Sequence, residues 1–273
     1  MRGRIVPGLV ALALHLTVGA PAYGFVCLQI AGKCTYWAER GATLRSFLGT
    51  PTNPPLANGT FTWDQNAINA ANEWTATGAS FRFTVEVGGQ FNEPCGRGSG
   101  HACPNTGPAG DNPVFFANDF CGQGFGDIIE LTNTCADRDS GAMINAPVFV
   151  NANVSWNAYD GPISVVGGRV IHEIRRVLAH EFGHVLGLDH PDERGQAVEA
   201  LMNSSESAID RLQPDDISGI FSIYPNTPPA SGTEGGGCTL TTGRRAGGFW
   251  LMGGAALWAV ARQRRRRTRQ ADA

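Results

Sequence analysis

Histidine is scarce in this chain, with six in 273 residues. Positive charge is scarce in its middle. Residues 25–238 carry 11 Lys+Arg against 23 Asp+Glu, a net of −12, while residues 239–273 hold eight arginines and one acid, Asp272. An acidic central region disfavours nucleic acid as a partner, and the Arg-rich end is a separate object. Long apolar runs are missing too. The run from Ala246 to Ala261 is 16 residues, at or below the usual membrane-spanning length of about 17–25. A temporary membrane stop fits it better than a permanent anchor.

What is present is concentrated. Residues 180–190 read His-Glu-Phe-Gly-His-Val-Leu-Gly-Leu-Asp-His, so three of the six histidines fall in eleven residues. Val170, Ile174, Val177 and Leu178 upstream have helical spacing, which extends a helix from Val170 through the first two histidines. His180 and His184, four apart, then share a face and can reach one ion. Glu181 lies about a third of a turn round, beside the ion and not on it. Gly187 permits a left-handed turn, and the chain can double back to offer His190 as a third ligand. Three neutral imidazoles and a water make an open zinc site. Such a site lowers the water's pKa to about 7, and Glu181 can take its proton during attack on a carbonyl.

Residues 1–24 read as a secretory signal, with Arg2 and Arg4, an apolar stretch from Ile5 to Val18, and a small-residue cleavage site at Ala20-Pro21-Ala22. An exported chain makes disulfides among Cys27, Cys34, Cys95, Cys103, Cys121 and Cys135 reasonable. Proximity suggests Cys27–Cys34, Cys95–Cys103 and Cys121–Cys135, among fifteen pairings. Further elements follow in order. Thr43–Leu48 suggests a first strand. Trp63, Ala67, Ala70, Ala71 and Trp74 form one buried helix face, with Thr62 as N-cap and Gly78 as stop. Phe81–Val87 alternates as a half-buried strand. Residues 88–113 form a loop stapled by Cys95 and Cys103. Strands are expected at Val114–Ala117, Asp127–Thr132 and Ile144–Asn151, and 151–168 connects to the histidine helix. His172-Glu173 lacks a second histidine at the right spacing, because Arg176 stands there, and reads as a helix-surface pair. Gln213–Tyr224 is a final helix with Pro214 at its start and Ile217, Ile220 and Tyr224 inward. Residues 227–238 are a Gly/Pro/Ser-rich linker ending in Gly-Cys.

The motif HExxHxxGxxH, followed by Leu201-Met202-Asn203 and Asp215-Asp216-Ile217-Ser218-Gly219-Ile220, resembles the matrixin family of metzincins. The likeness covers roughly residues 40–225. It implies an α+β fold with a twisted, mostly parallel five-stranded sheet and three helices, in a catalytic domain at 25–226. By the same resemblance His180, His184 and His190 are the catalytic zinc ligands, Glu181 is the general base, and Met202 is the Met-turn residue. Asp215 is the acid that hydrogen-bonds that turn from the last helix. Ser204, not Tyr, stands two after Met202, which favours matrixins over astacins and serralysins. Substrate would add along an edge strand near Ile128–Thr132, with a pocket between His180 and residues 203–213.

Three departures stand out. Only His101 and His172 remain outside the motif and the signal, so a second, structural zinc is not expected, while calcium stays open. No room exists for a prodomain between residue 25 and the first strand. Glu93-Pro94-Cys95-Gly96-Arg97 is similar to a cysteine switch, but its position favours a disulfide. Residues 239–273, with glycine-flanked Cys238, resemble bacterial surface-sorting tails, in which Cys238 would be a processing or lipid site. The reading is an exported bacterial zinc endopeptidase, secreted or displayed at the cell surface or outer membrane. It would act on proteins or peptides, with export and sorting machinery as partners and membrane contact through the tail. The alternatives are a surface zinc-binding adhesion protein without turnover, and a zinc hydrolase of non-peptide amides.

Overall fold

A computed structural model of the chain describes residues 24–95, 103 and 107–226. Residues 1–23 of the expected signal, the linker, Cys238, the Arg-rich tail, His101 and Gly96-Arg97 lie outside the described residues. No helix among the described residues is long and apolar enough to cross a membrane.

The sheet is built from β1 (Gly41–Ser46), β2 (Arg82–Val87), β3 (Pro113–Ala117), β4 (Glu130–Thr132) and β5 (Val148–Asn151). Its order is β2-β1-β3-β5-β4. All neighbours are parallel except β4, which runs antiparallel to β5 at one edge. Helix α1 (Trp63–Thr75) follows β1 and returns the chain to β2, as a parallel crossover requires. Thr62 caps it, accepting the Gln65 N–H at 3.0 Å. β1 begins and ends two residues before the expected Thr43–Leu48. Beyond Ser46 the backbone leaves the ladder, because the Leu48 and Gly49 N–H groups donate to the Asp64 carboxylate at the start of α1.

Three further expectations are corrected. Ile144–Asn151 is two short strands, Met143–Asn145 and β5, because Pro147 between them has no N–H for a ladder. The connection after β5 contains a sheet of its own. It holds β6 (Ser155–Asn157), β7 (Ser164–Val166) and β8 (Arg169–Glu173), a three-stranded sheet in the order β6-β8-β7. Helix α2 (Ile174–Leu186) therefore begins four residues after Val170, which pairs with Val165 in a strand and is 43% exposed. His172 and Glu173 are not a helix-surface pair. Glu173 is fully buried and caps α2, accepting the Arg175 and Arg176 N–H groups at 3.1 and 2.8 Å. His172 faces Glu206 at 2.6 Å.

The core lies between the sheet and the helices. The indoles of Trp74 and Trp37 donate to the α2 carbonyls of Ala179 and Val185, at 2.8 and 2.7 Å. Helix α3 (Pro214–Ile223) ends at Tyr224. The Tyr224 hydroxyl accepts from Trp37 N–H at 3.0 Å and donates to the Leu186 carbonyl at 2.8 Å. Ile220 is buried with Tyr224, whereas Ile217 is only half-buried.

Cys27 joins Cys34 as expected. Cys95 joins Cys121, and Cys103 joins Cys135, which corrects Cys95–Cys103 and Cys121–Cys135. Proximity along the chain misleads here because Cys95 and Cys121 both pack against the Phe115–Phe125–Phe149 cluster, a contact made across the fold. Cys95 is in a disulfide and not a free switch thiol.

Candidate metal centre

Helix α2 carries the centre because both of its ends are fixed. Its start is held by Glu173. Its end is Gly187, at φ 108° and ψ 17°, where a Cβ would lie 2.4 Å from the Thr35 carbonyl oxygen. Only glycine fits that close approach in that conformation. The chain reverses there, and Leu188–Asp189 pairs with Val26–Cys27. The Asp189 carboxylate accepts the His190 N–H at 2.9 Å.

His180, His184 and His190 come together as their spacing predicts. Their Nε2 atoms lie 3.0, 3.1 and 3.2 Å from one another. A tetrahedral zinc with 2.0–2.1 Å bonds needs about 3.3 Å between ligand nitrogens, so the triad fits one ion. Each ring is oriented from its other nitrogen. His180 Nδ1 lies 2.8 Å from the Leu201 carbonyl, and His184 Nδ1 2.9 Å from the Leu188 carbonyl. His190 Nδ1 faces the Glu193 carboxylate at 3.4 Å. A proton on Nδ1 leaves the Nε2 lone pairs convergent, the arrangement a cation stabilises. Burial first, and the charge of a neighbouring triad member second, push His180 and His184 down to about 4. Both rings are therefore neutral near pH 7, the form that binds metal. Among the described residues this is the one cluster of three or more such side chains with ligand atoms close enough for an ion.

The centre lies in a cavity of about 690 Å³ bounded by β4, α2 and the loop from Asn203 to Ile209. That loop is held from below by the two arginines after the α2 cap. Arg175 donates to the Asp210 carbonyl and the Glu73 carboxylate, at 2.9 and 2.8 Å. Arg176 donates to the Ser207 carbonyl at 2.7 Å and to the Gly161 carbonyl. Glu181 is 5% exposed and lines the cavity beside the histidines. Its Oε2 accepts from Thr132 Oγ1 at 2.7 Å.

Met202 is buried under the metal helix. A Cβ on Gly183, between the first two histidines, would lie 2.1 Å from the Met202 sulfur. The acid that holds this turn is Asp216. Its carboxylate accepts the N–H groups of Leu201 at 2.8 Å, Met202 at 3.1 Å and Gln213 at 2.7 Å. Asp215 instead accepts the Gly24 N–H at 2.5 Å, which corrects its assignment to the turn. The reason is helix phase. Gln213 is the N-cap, and the side chain three residues on reaches back over the helix start, where the turn lies. Burial raises the Asp216 carboxyl to about 6 against those three donors. The capping position was the available signal for Asp216.

Two residues gave no signal. Thr132 and Glu130 read only as edge-strand residues. Glu130 is 5% exposed, and neither carboxyl oxygen has a hydrogen-bond partner. Burial first, and the nearby Glu181 charge second, raise its carboxyl well above the usual carboxylate range.

Residues 57–225 match the family model described as Matrixin. A solved structure, the GM1-bound form of the ECX AB5 holotoxin, matches at 16% identity and a TM-score of 0.35. That match covers 67% of this chain and 80% of the other, and a likeness at this level carries no argument.

Proposed function

Because the chain belongs to the matrixin family, we propose that it is an exported zinc-dependent endopeptidase with His180, His184 and His190 as ligands and Glu181 as base. The observation that carries the reading is the convergence of three Nε2 atoms within 3.2 Å beside a buried carboxylate, in an open cleft. A zinc ion there would supply Lewis acidity, polarising a carbonyl and acidifying water near neutral pH.

The chain's own residues do the rest. β4 ends the sheet order, so its outer edge offers backbone N–H and C=O groups to an extended peptide. A substrate laid along it passes the mouth of the cavity between α2 and the 203–209 loop. Glu181 has one oxygen engaged by Thr132, which leaves Oε1 to take the water's proton and return it to the leaving amine. Met202 and Asp216 keep the floor beneath the histidines in place. Export, display at a bacterial surface through the C-terminal tail, and processing at Cys238 belong to the same proposal and rest on the sequence pattern alone.

The test is incubation of the full-length protein, loaded with zinc, with unfolded casein, beside Glu181→Ala and a chelated sample. Glu181→Ala should keep one zinc per chain and lose about 10²–10⁴-fold in cleavage rate. Undiminished cleavage by that variant would remove Glu181 from the mechanism. One bound zinc with no cleavage by the wild type would favour a surface zinc-binding protein.

A further inference from the structure

Alternate residues of a strand share a face, and β4 turns Glu130 and Thr132 toward α2. Thr132 Oγ1 lies 2.7 Å from Glu181 Oε2 and 3.2 Å from the Glu181 carbonyl oxygen. One hydroxyl has one proton, and the shorter, charge-assisted contact to the carboxylate takes it. The donor is rigid on both sides. Thr132 is β-branched, so its χ1 has few alternatives, and its backbone is fixed in the ladder opposite Val148. Among the hydrogen bonds of the described residues, this is the one that reaches the Glu181 carboxylate. Glu130, two residues earlier on the same face, is buried with its oxygens unpartnered.

Resting on the peptidase reading, we propose that Thr132 is a positioning residue. Its hydroxyl fixes the Glu181 side chain and ties the base to the strand along which the substrate lies. One residue then sets two distances together. Its backbone sits in the strand that aligns the peptide, and its side chain holds the group that moves the proton. A purely structural role, packing β4 on α2, would instead appear as lost stability with kcat intact.

The experiment compares Thr132→Val, which keeps shape and removes the hydroxyl, with Thr132→Ser, which keeps the hydroxyl. Thr132→Ala takes the valine variant's place if that variant does not fold. The zinc-loaded full-length proteins are assayed for kcat and KM on casein-derived peptides. They are also titrated with acetohydroxamate, a small bidentate chelator whose N–OH proton can pass to Glu181 on binding. Thr132→Val should lower kcat about tenfold, leave KM within about twofold, weaken acetohydroxamate about fivefold or more, and leave the zinc content unchanged. Thr132→Ser should recover to within about twofold of wild type. Unchanged kcat and chelator affinity in Thr132→Val, or a serine variant as impaired as the valine one, would overturn the proposal. If the wild type cleaves nothing, the peptidase reading fails, and the acetohydroxamate titration alone still decides for or against Thr132.

Discussion

Gly187→Ala adds one methyl group where the chain leaves α2 and turns back toward His190. Two costs act at this position. At φ 108° an L-residue is strained, by about 1–2 kcal/mol. The new Cβ would also stand 2.4 Å from the Thr35 carbonyl oxygen and 3.1 Å from Thr35 Oγ1. Backbone on both sides is fixed there, because Leu28 N–H donates to the Gly187 carbonyl at 2.7 Å and Thr35 N–H to the Leu28 carbonyl at 2.8 Å. Overpacking of such a contact costs about 1–3 kcal/mol, so the sum is about 2–5 kcal/mol. For a domain of this size that lowers Tm by about 4–20 °C. Gly195 supplies the control. Its φ of 78° is also positive, but a Cβ there would meet nothing within 4 Å. Gly195→Ala should therefore cost only the conformational part, about 1–2 kcal/mol. Thermal unfolding of both variants, with zinc and with chelator, measures the difference. Zinc should also bind more weakly to Gly187→Ala, because His190 depends on the turn. Equal losses in the two variants would refute the argument that contact with Thr35 makes Gly187 obligatory.

Two other outcomes follow from the same packing. His180 and His184 sit at about 4 in the fold against 6.5 when free, so the unfolded chain binds more protons between those values. In the metal-free protein this histidine contribution is fully present above about pH 6.5 and is lost as pH falls toward 4, while the raised carboxyls of Asp216 and Glu130 act in the opposite sense. Urea midpoints of the chelated protein and of its His180→Gln/His184→Gln variant at pH 5 and 7.5 test this: the wild type should lose more stability than the variant between the two pH values, and equal changes would contradict it. Tyr224→Phe removes the hydroxyl that serves both Trp37 N–H and the Leu186 carbonyl. It leaves two buried backbone groups unpartnered and should cost about 2–3 kcal/mol. A loss under about 0.5 kcal/mol in chemical unfolding would show that water replaces it.

The histidine triad was legible in the sequence because its logic is local. His180 and His184 are one helical turn apart, and Gly187 lies where a reversal has to occur. α1 was legible for the same reason, since Thr62 and the Ala67–Trp74 face lie within one element. The failures lie where a side chain acts across the fold. Val170 has helical spacing to Ile174, yet it pairs with Val165, a strand neighbour that periodicity cannot see. Glu173 looks like a surface acid until α2 needs a cap inside the core. Asp215 and Asp216 are adjacent and chemically identical, and only their phase at the start of α3 sends one to Gly24 and the other to the Met202 turn. Thr132 touches Glu181 only because β4 packs against α2 in the fold.

The disulfides carry a consequence for how the molecule is made. Cys95–Cys121 and Cys103–Cys135 close loops that interleave. A chain emerging from its amino end presents Cys103 to Cys95 first, and later Cys135 to Cys121. An oxidant that joins thiols in order of appearance makes neither native bond. Under such an oxidant the native pairing would be reached only by thiol–disulfide exchange after the first bonds form, so the rate of reshuffling, as well as of oxidation, would set how fast this fold is made.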